Sequence, residues 1–132
     1  ANAGVSGRKV LADSYGGLLP HGGMGLAGKD PLKPGRAGTY MARFAAKTLV
    51  TEGVASNVLI TAMYALGIAE PLVISARAGN GDDLTDLVKQ RFDFRPEAIV
   101  ERLGLRRPLY AVCSTYGMFG RPGLPWEDIE KE

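Results

Sequence analysis

Between Tyr15 and Arg36 the chain reads Tyr-Gly-Gly-Leu-Leu-Pro-His-Gly-Gly-Met-Gly-Leu-Ala-Gly-Lys-Asp-Pro-Leu-Lys-Pro-Gly-Arg, with seven glycines, three prolines, two lysines and the sole histidine. Neither a core helix nor a central strand can be built from this. Glycine costs backbone entropy in both, and proline lacks the N–H that both require. The stretch is therefore a long loop, and long loops in compact chains are usually functional or disordered. Its chemistry suits polyphosphate, since small residues let backbone N–H groups approach an anion and lysine ammoniums supply charge.

Two familiar glycine motifs overlap here, and both fail on context. Gly23-Met24-Gly25-Leu26-Ala27-Gly28 has the spacing of the dinucleotide fingerprint, and Gly23 to Lys29 has that of the P-loop up to its last letter. The fingerprint needs a strand running into its first glycine and a helix opening across its third. Leu18-Leu19-Pro20-His21 precedes the motif instead, and Pro34 is expected to break the helix that either motif needs. The P-loop also wants Ser or Thr after the lysine, where this chain has Asp30.

Composition narrows the function classes. At 132 residues the chain reads as one domain, or as a fragment of something larger, with 45% apolar and 23% charged residues. No apolar run is long enough to span a membrane, and the N-terminus does not resemble a signal peptide. Cys113 is the only cysteine. An internal disulfide is thereby excluded, and a reducing, cytoplasmic setting is expected. Residues 1–36 hold five basic and two acidic residues, a balance of +3, while residues 79–132 hold eight basic and ten acidic. Positive charge thus gathers on the glycine-rich loop, which favours a small anionic ligand over nucleic acid.

The remaining pattern predicts an α+β chain. Residues 1–7 read as loop and Lys9–Ser14 as a short strand. Ala37, Tyr40, Met41, Phe44, Ala45 and Leu49 have helical spacing, giving a helix from Arg36 or Ala37 to Glu52 that Gly53 ends. Asn57–Ala65 and Leu72–Ala76 read as strands. A helix capped by Asp82 or Asp83 runs to Arg91, and another opens at Pro96 and stops at Gly104. Leu109–Ser114 is expected as a final strand with Cys113 as a small core residue, and residues 115–132 as irregular. Together these give a two-layer sandwich, a small mixed sheet with helices packed on one face. Glu70 reads as buried beside Pro71. Asp82, Asp83 and Asp86 read as a helix N-terminus rather than a metal site. Phe119 and Trp126 are left to pack on the sheet or on a partner.

The residues then become recognisable. Gly4-Val5-Ser6-Gly7-Arg8-Lys9, Asp13-Ser14-Tyr15-Gly16-Gly17, His21-Gly22-Gly23 and Gly28-Lys29-Asp30-Pro31-Leu32-Lys33 resemble the C-terminal portion of S-adenosylmethionine synthetase (methionine adenosyltransferase). The likeness continues through Tyr64-Ala65-Leu66-Gly67-Ile68-Ala69-Glu70-Pro71, Phe92-Asp93-Phe94-Arg95-Pro96, Thr115-Tyr116-Gly117-Met118-Phe119-Gly120-Arg121 and Pro125-Trp126-Glu127. The resemblance implies formation of S-adenosylmethionine from ATP and L-methionine, with phosphate and pyrophosphate released. It implies that Arg8, Lys9 and Lys29 are catalytic cations that bind ATP, chiefly its triphosphate. Gly25 then lies near the nucleotide, Asn2 touches ATP and methionine, and Lys33 touches methionine. Mg2+ and K+ are implied as cofactors with ligands mostly outside this chain, and no metal ligand is assigned within it.

Departures from the family pattern bear on activity. Asn2 stands where the family has Asp, and so loses the charge that would pair with methionine's ammonium. Gly35 replaces an Asp that helps hold magnesium, Leu18 replaces a Trp, and Met118 replaces a His. The family site is assembled from three similar domains and across a dimer, and its other catalytic groups would lie upstream of Ala1. The expectation is a C-terminal subunit or portion that needs a partner chain, or a homo-oligomer, to complete the site; since no methionine precedes Ala1, processing or trimming is also expected. The alternatives are a non-catalytic or regulatory paralogue that binds nucleotide or pairs with a true synthetase, and a related enzyme with an altered acceptor.

Overall fold

A computed structural model describes residues 8–20, 22 and 25–129. The expected loop over 1–7, with Asn2 in it, and His21 lie outside the described residues. In order, the chain forms α1 (Arg8–Asp13), α2 (Pro34–Thr51), β1 (Val58–Met63), β2 (Val73–Ala78), α3 (Thr85–Arg91), α4 (Pro96–Arg102) and α5 (Tyr110–Cys113).

Helix α2 is the axis of the core, as its apolar spacing predicts. Ala37, Tyr40, Met41, Ala45 and Leu49 are fully buried on one stripe. Pro34 opens this helix, two residues before the expected start at Arg36. At the first helical position a missing N–H costs nothing and the fixed φ is already helical. The far end closes as a glycine should close it: Gly53 has φ +77°, the Val54 N–H donates to the Leu49 carbonyl and the Gly53 N–H to that of Val50.

Strands β1 and β2 pair antiparallel, from Val58 opposite Ala78 to Met63 opposite Val73. Val58, Ile60, Ala62, Ile74, Ala76 and Ala78 therefore share one face, which packs on the core. Gly38 permits α2 to lie close here, since a Cβ at that position would meet the Tyr64 ring at 2.8 Å. Tyr64 in turn donates from its hydroxyl to the Phe94 carbonyl at 2.8 Å, tying the hairpin to the segment before α4.

Two expected strands are helices. Lys9–Ser14 forms most of α1, and Leu109–Ser114 contains α5, so the sheet is a two-stranded antiparallel hairpin rather than a mixed sheet. Short apolar runs do not declare their period, and here local bonding decides. In α5, Cys113 N–H donates to the Leu109 carbonyl and Ser114 N–H to that of Tyr110, while the Ser114 and Thr115 hydroxyls bond back one turn. The α+β class holds, with the helices on one face of the hairpin. Glu70, expected to be buried, is exposed and lies 3.8 Å from Arg95, whose principal partner is Asp93. Residues 114–129 are irregular yet deeply packed: the Trp126 indole stacks on Tyr40 with ring centres 3.7 Å apart.

Candidate functional site

The glycine-rich loop leaves α1 at Ser14 and rejoins regular structure at α2, and each of its ends is fastened by a cation. At the first end, Tyr15 stacks on Phe119 with ring centres 4.8 Å apart. The Arg43 guanidinium, from α2, lies 5.8 Å from the Tyr15 ring centre and 5.6 Å from that of Phe119. Arg43 also donates to Glu127 from Nε at 2.9 Å and Nη2 at 3.1 Å. Lys47 Nζ donates to the same carboxylate at 2.9 Å, and the Gly120 N–H at 2.8 Å. Burial pushes the Glu127 carboxyl up, but the bonds from Arg43, Gly120 and Lys47 outweigh it, and the net shift is downward. Glu127 is ionised at neutral pH and clamps the tail to α2. Met118 continues the clamp: its N–H donates to Asp13 at the end of α1, and its carbonyl accepts from the Trp126 indole N–H at 2.6 Å.

At the second end Leu26 is buried, pinning the loop to the core. Gly28 turns with φ +81°, a conformation open to glycine and strained for other residues. Asp30 accepts the Leu32 N–H at 2.8 Å, a side-chain turn that leads into Lys33 at the N-cap of α2. Arg36, only 3% exposed, reaches back and donates from Nη1 to the Lys29 carbonyl at 2.6 Å.

The expected site residues divide accordingly. Arg8 and Lys9 are exposed on the first turn of α1. Lys29 is half-buried, Gly25 half-buried and Lys33 exposed at the loop's other end. Lys29 and Gly35 come together across the turn, since a Cβ on Gly35 would lie 3.5 Å from Lys29 Nζ. An aspartate at 35 would thus have stood beside the Lys29 ammonium. Asn2 lies outside the described residues. Among those described, no group of three or more His, Cys, Asp and Glu side chains is arranged to hold a metal ion, and no helix is long and apolar enough to cross a membrane.

Sequence reasoning missed the residues that hold the loop. Arg36 counted as loop charge, but it is buried structure and not available to a ligand. Cys113, expected as a small core residue, is buried and has Arg36 Nη2 at 3.8 Å from its sulfur. Arg43, Lys47 and Glu127 carried no local signal beyond the Pro125-Trp126-Glu127 block. A shallow cleft of about 740 Å³, lined by Pro71, Phe92, Arg95 and Arg102 among others, includes no residue of the loop.

Comparison with known proteins identifies the family. The sequence profile described as "S-adenosylmethionine synthetase, C-terminal domain" matches residues 1–128. The S-adenosylmethionine synthase of Thermus thermophilus is 45% identical over 99% of this chain and 34% of its own length, and that of Petrotoga mobilis 44% identical over 99% and 34%. A solved structure, "an Unusual S-adenosylmethionine synthetase from Campylobacter jejuni", superimposes with a TM-score of 0.85 at 34% identity, covering 92% of this chain and 34% of that one. This chain spans about a third of the length of the relatives it matches. It belongs to the S-adenosylmethionine synthetase family, and the part of that family it carries is the C-terminal domain.

Proposed function

We propose that this chain supplies the triphosphate-binding part of a methionine adenosyltransferase, forming S-adenosylmethionine from ATP and L-methionine together with partner domains that complete the site. The match to the family's C-terminal domain across residues 1–128, on a stretch that keeps Arg8, Lys9 and Lys29, carries the reading. Attack of the methionine sulfur on the ribose C5′ carbon breaks the C5′–O bond, and triphosphate departs with the bonding electrons. Charge builds on that leaving group as the bond breaks. Cations already aimed at it therefore stabilise the transition state more than bound ATP. Lys29, Arg8 and Lys9 fill this role, Gly25 lets the backbone approach the nucleotide, and Asn2 and Lys33 are assigned to methionine binding.

Mg2+ would neutralise phosphate charge, and K+ is the family's other ion. Among the described residues no group of three or more His, Cys, Asp and Glu side chains could hold Mg2+, and Gly35 lacks the side chain that would help. Their ligands belong mainly to the partner domains or chain, and the setting is cytoplasmic. The exposed hairpin face supports such a partner: Leu59, Met63 and Val73 lie on it, with Leu66, Ile68 and Leu72 exposed in the adjoining link. Apolar groups gathered this way mark an interaction surface. Homo-oligomerisation would cover the same face.

The test is phosphate release from ATP and methionine by this chain with its partner, compared with its Lys29→Ala variant. Removing one such charge-stabilising group is expected to cut turnover by about 10²–10³-fold; unchanged turnover refutes the assignment. Asn2 and Gly35 favour a second reading, a nucleotide-binding regulatory paralogue, while Asn2 and Leu18 suggest a related enzyme with an altered acceptor. ATP binding without turnover in the presence of the partner would select the regulatory paralogue.

A further inference from the structure

Arg36 is the only buried cation among the described residues, and no carboxylate lies within ion-pair distance of it there. A guanidinium in such a place is costly, because it is shielded from bulk solvent and no carboxylate among the described residues compensates it. Its position makes the cost greater: it sits in the first turn of α2, where the helix dipole is positive. Tyr110, Tyr40 and Cys113 around it would accept an apolar side chain. The guanidinium instead spends its donors on three fixed acceptors. Nη1 takes the Lys29 carbonyl at 2.6 Å, Nε the Tyr40 hydroxyl at 3.0 Å and Nη2 the Cys113 sulfur at 3.8 Å, while the Tyr110 ring lies 4.4 Å from its central carbon. Tyr40 is locked in turn by its stack on Trp126 and by donating to Met118 Sδ at 3.6 Å. The only acceptor of the three that belongs to the loop is the backbone of Lys29.

We propose that Arg36 is a positioning residue: through the Lys29 carbonyl it fixes where the Lys29 ammonium points, and so aligns that charge with the departing triphosphate. The inference rests on the function proposed above, which gives Lys29 its role. A rigid fork is needed for this, because one planar group must bridge α2, α5 and the loop at once. Lysine, with a single point of donation, cannot do so.

A double-mutant cycle on the chain in its working assembly tests this. Arg36→Lys is expected to lower kcat by about 100-fold, the scale of a 1 Å misplacement, with KM for ATP within about threefold of wild type. In a Lys29→Ala background the same change should cost nothing further, because the group it positions is gone. Tyr40→Phe removes the Nε acceptor together with the hydroxyl's weak bond to Met118 Sδ, and should lower kcat several-fold in the same non-additive way, which covers the case in which Arg36→Lys fails to fold. A structural role alone would give effects that multiply with Lys29→Ala, and that outcome overturns the proposal, as does an Arg36→Lys enzyme with normal kcat. If Lys29→Ala disables the enzyme while Arg36→Lys does not, positioning fails and the proposed function stands. If Lys29→Ala has no effect, both fall.

Discussion

The two ends of the glycine-rich loop are fastened by opposite physics. At Tyr15 the cations Arg43 and Lys47 converge on a carboxylate, Glu127, so each cation there has a countercharge in contact, although the three together keep one net positive charge. At Arg36 a cation is held by a carbonyl, a phenol, a thiol and a ring face, with no countercharge among the described residues. The first arrangement is what a fold uses to stabilise itself. The second gains little for the fold, and its one distinctive product is a fixed Lys29 backbone. The comparison therefore separates stability from function: the Glu127 end should govern whether the chain folds, and the Arg36 end whether it works.

Trp126→Ala should have the largest effect because it undermines both ends. It removes the stack under Tyr40, which supports Arg36, and the indole bond to Met118, which supports α1 and the tail. Loss of a buried Trp costs about 4 kcal/mol. Urea unfolding should show the drop, and near-UV circular dichroism should show the lost aromatic environment.

Glu127→Gln comes next. Breaking a buried pair on one side costs 3–5 kcal/mol, and since Arg43 and Lys47 keep 25% and 34% of their side chains exposed, about 3 kcal/mol is expected. The pH dependence sharpens the contrast. The folded carboxyl titrates below its ordinary 4.5, so its contribution is present in full above that value and is lost as pH falls through the depressed one. Burial pushes the Tyr40 hydroxyl up to about 12, against the pull of Arg36, so its contribution is present below 10.0 and lost as pH rises through about 12. Acid should therefore release the Glu127 end and alkali the Arg36 end. Acid unfolding of Glu127→Gln should be flatter than wild type below pH 4.5, and alkaline unfolding of Tyr40→Phe flatter above pH 10, both read by tryptophan fluorescence. Tyr15 is raised as well, so the alkaline limb of wild type contains both ends.

How much of this was legible in the sequence follows the range of the interactions. Helix α2 could be read because its apolar spacing repeats within the helix and Gly53 marks its end. The two strands could be read because Asn57–Ala65 and Leu72–Ala76 are β-rich and bounded by turns; that they pair, among the described residues, only with each other could not. The two misread strands, Lys9–Ser14 and Leu109–Ser114, are too short for a period. The loop itself was unmistakable, and so were its exposed cations. What held it was not, because Arg43 finds Glu127 across 84 positions and Arg36 finds Cys113 across 77. No local pattern announces a partner that far away, and Arg36 in a glycine-rich, basic stretch looks like one more surface charge.

Arg36→Met should change stability by no more than about 1 kcal/mol, because a side chain of similar length replaces a desolvated, unpaired cation. Paired with the activity loss expected for Arg36→Lys, a near-neutral melting temperature would place this residue on the functional side of the comparison. A loss like that of Glu127→Gln would erase the distinction between the two ends.

Gly35→Asp should have the smallest effect, and of the opposite sign. Gly35 occupies the second position of α2, where replacing glycine restores helix propensity and an acidic group favours the dipole, together about 0.5–1 kcal/mol. Its Cβ would lie 3.5 Å from Lys29 Nζ, an ordinary contact with the end of a flexible chain, so the helix need not move. The melting temperature should rise by a few degrees. In buffer free of divalent ions the new carboxylate would compete for the Lys29 ammonium, and affinity for inorganic tripolyphosphate should fall several-fold. A stabilised protein with undiminished affinity would mean that Lys29 does not meet the anion. A stabilised protein with weakened affinity would tie the one exposed consequence of the Arg36 end to the phosphate, by a route that leaves Arg36 itself untouched.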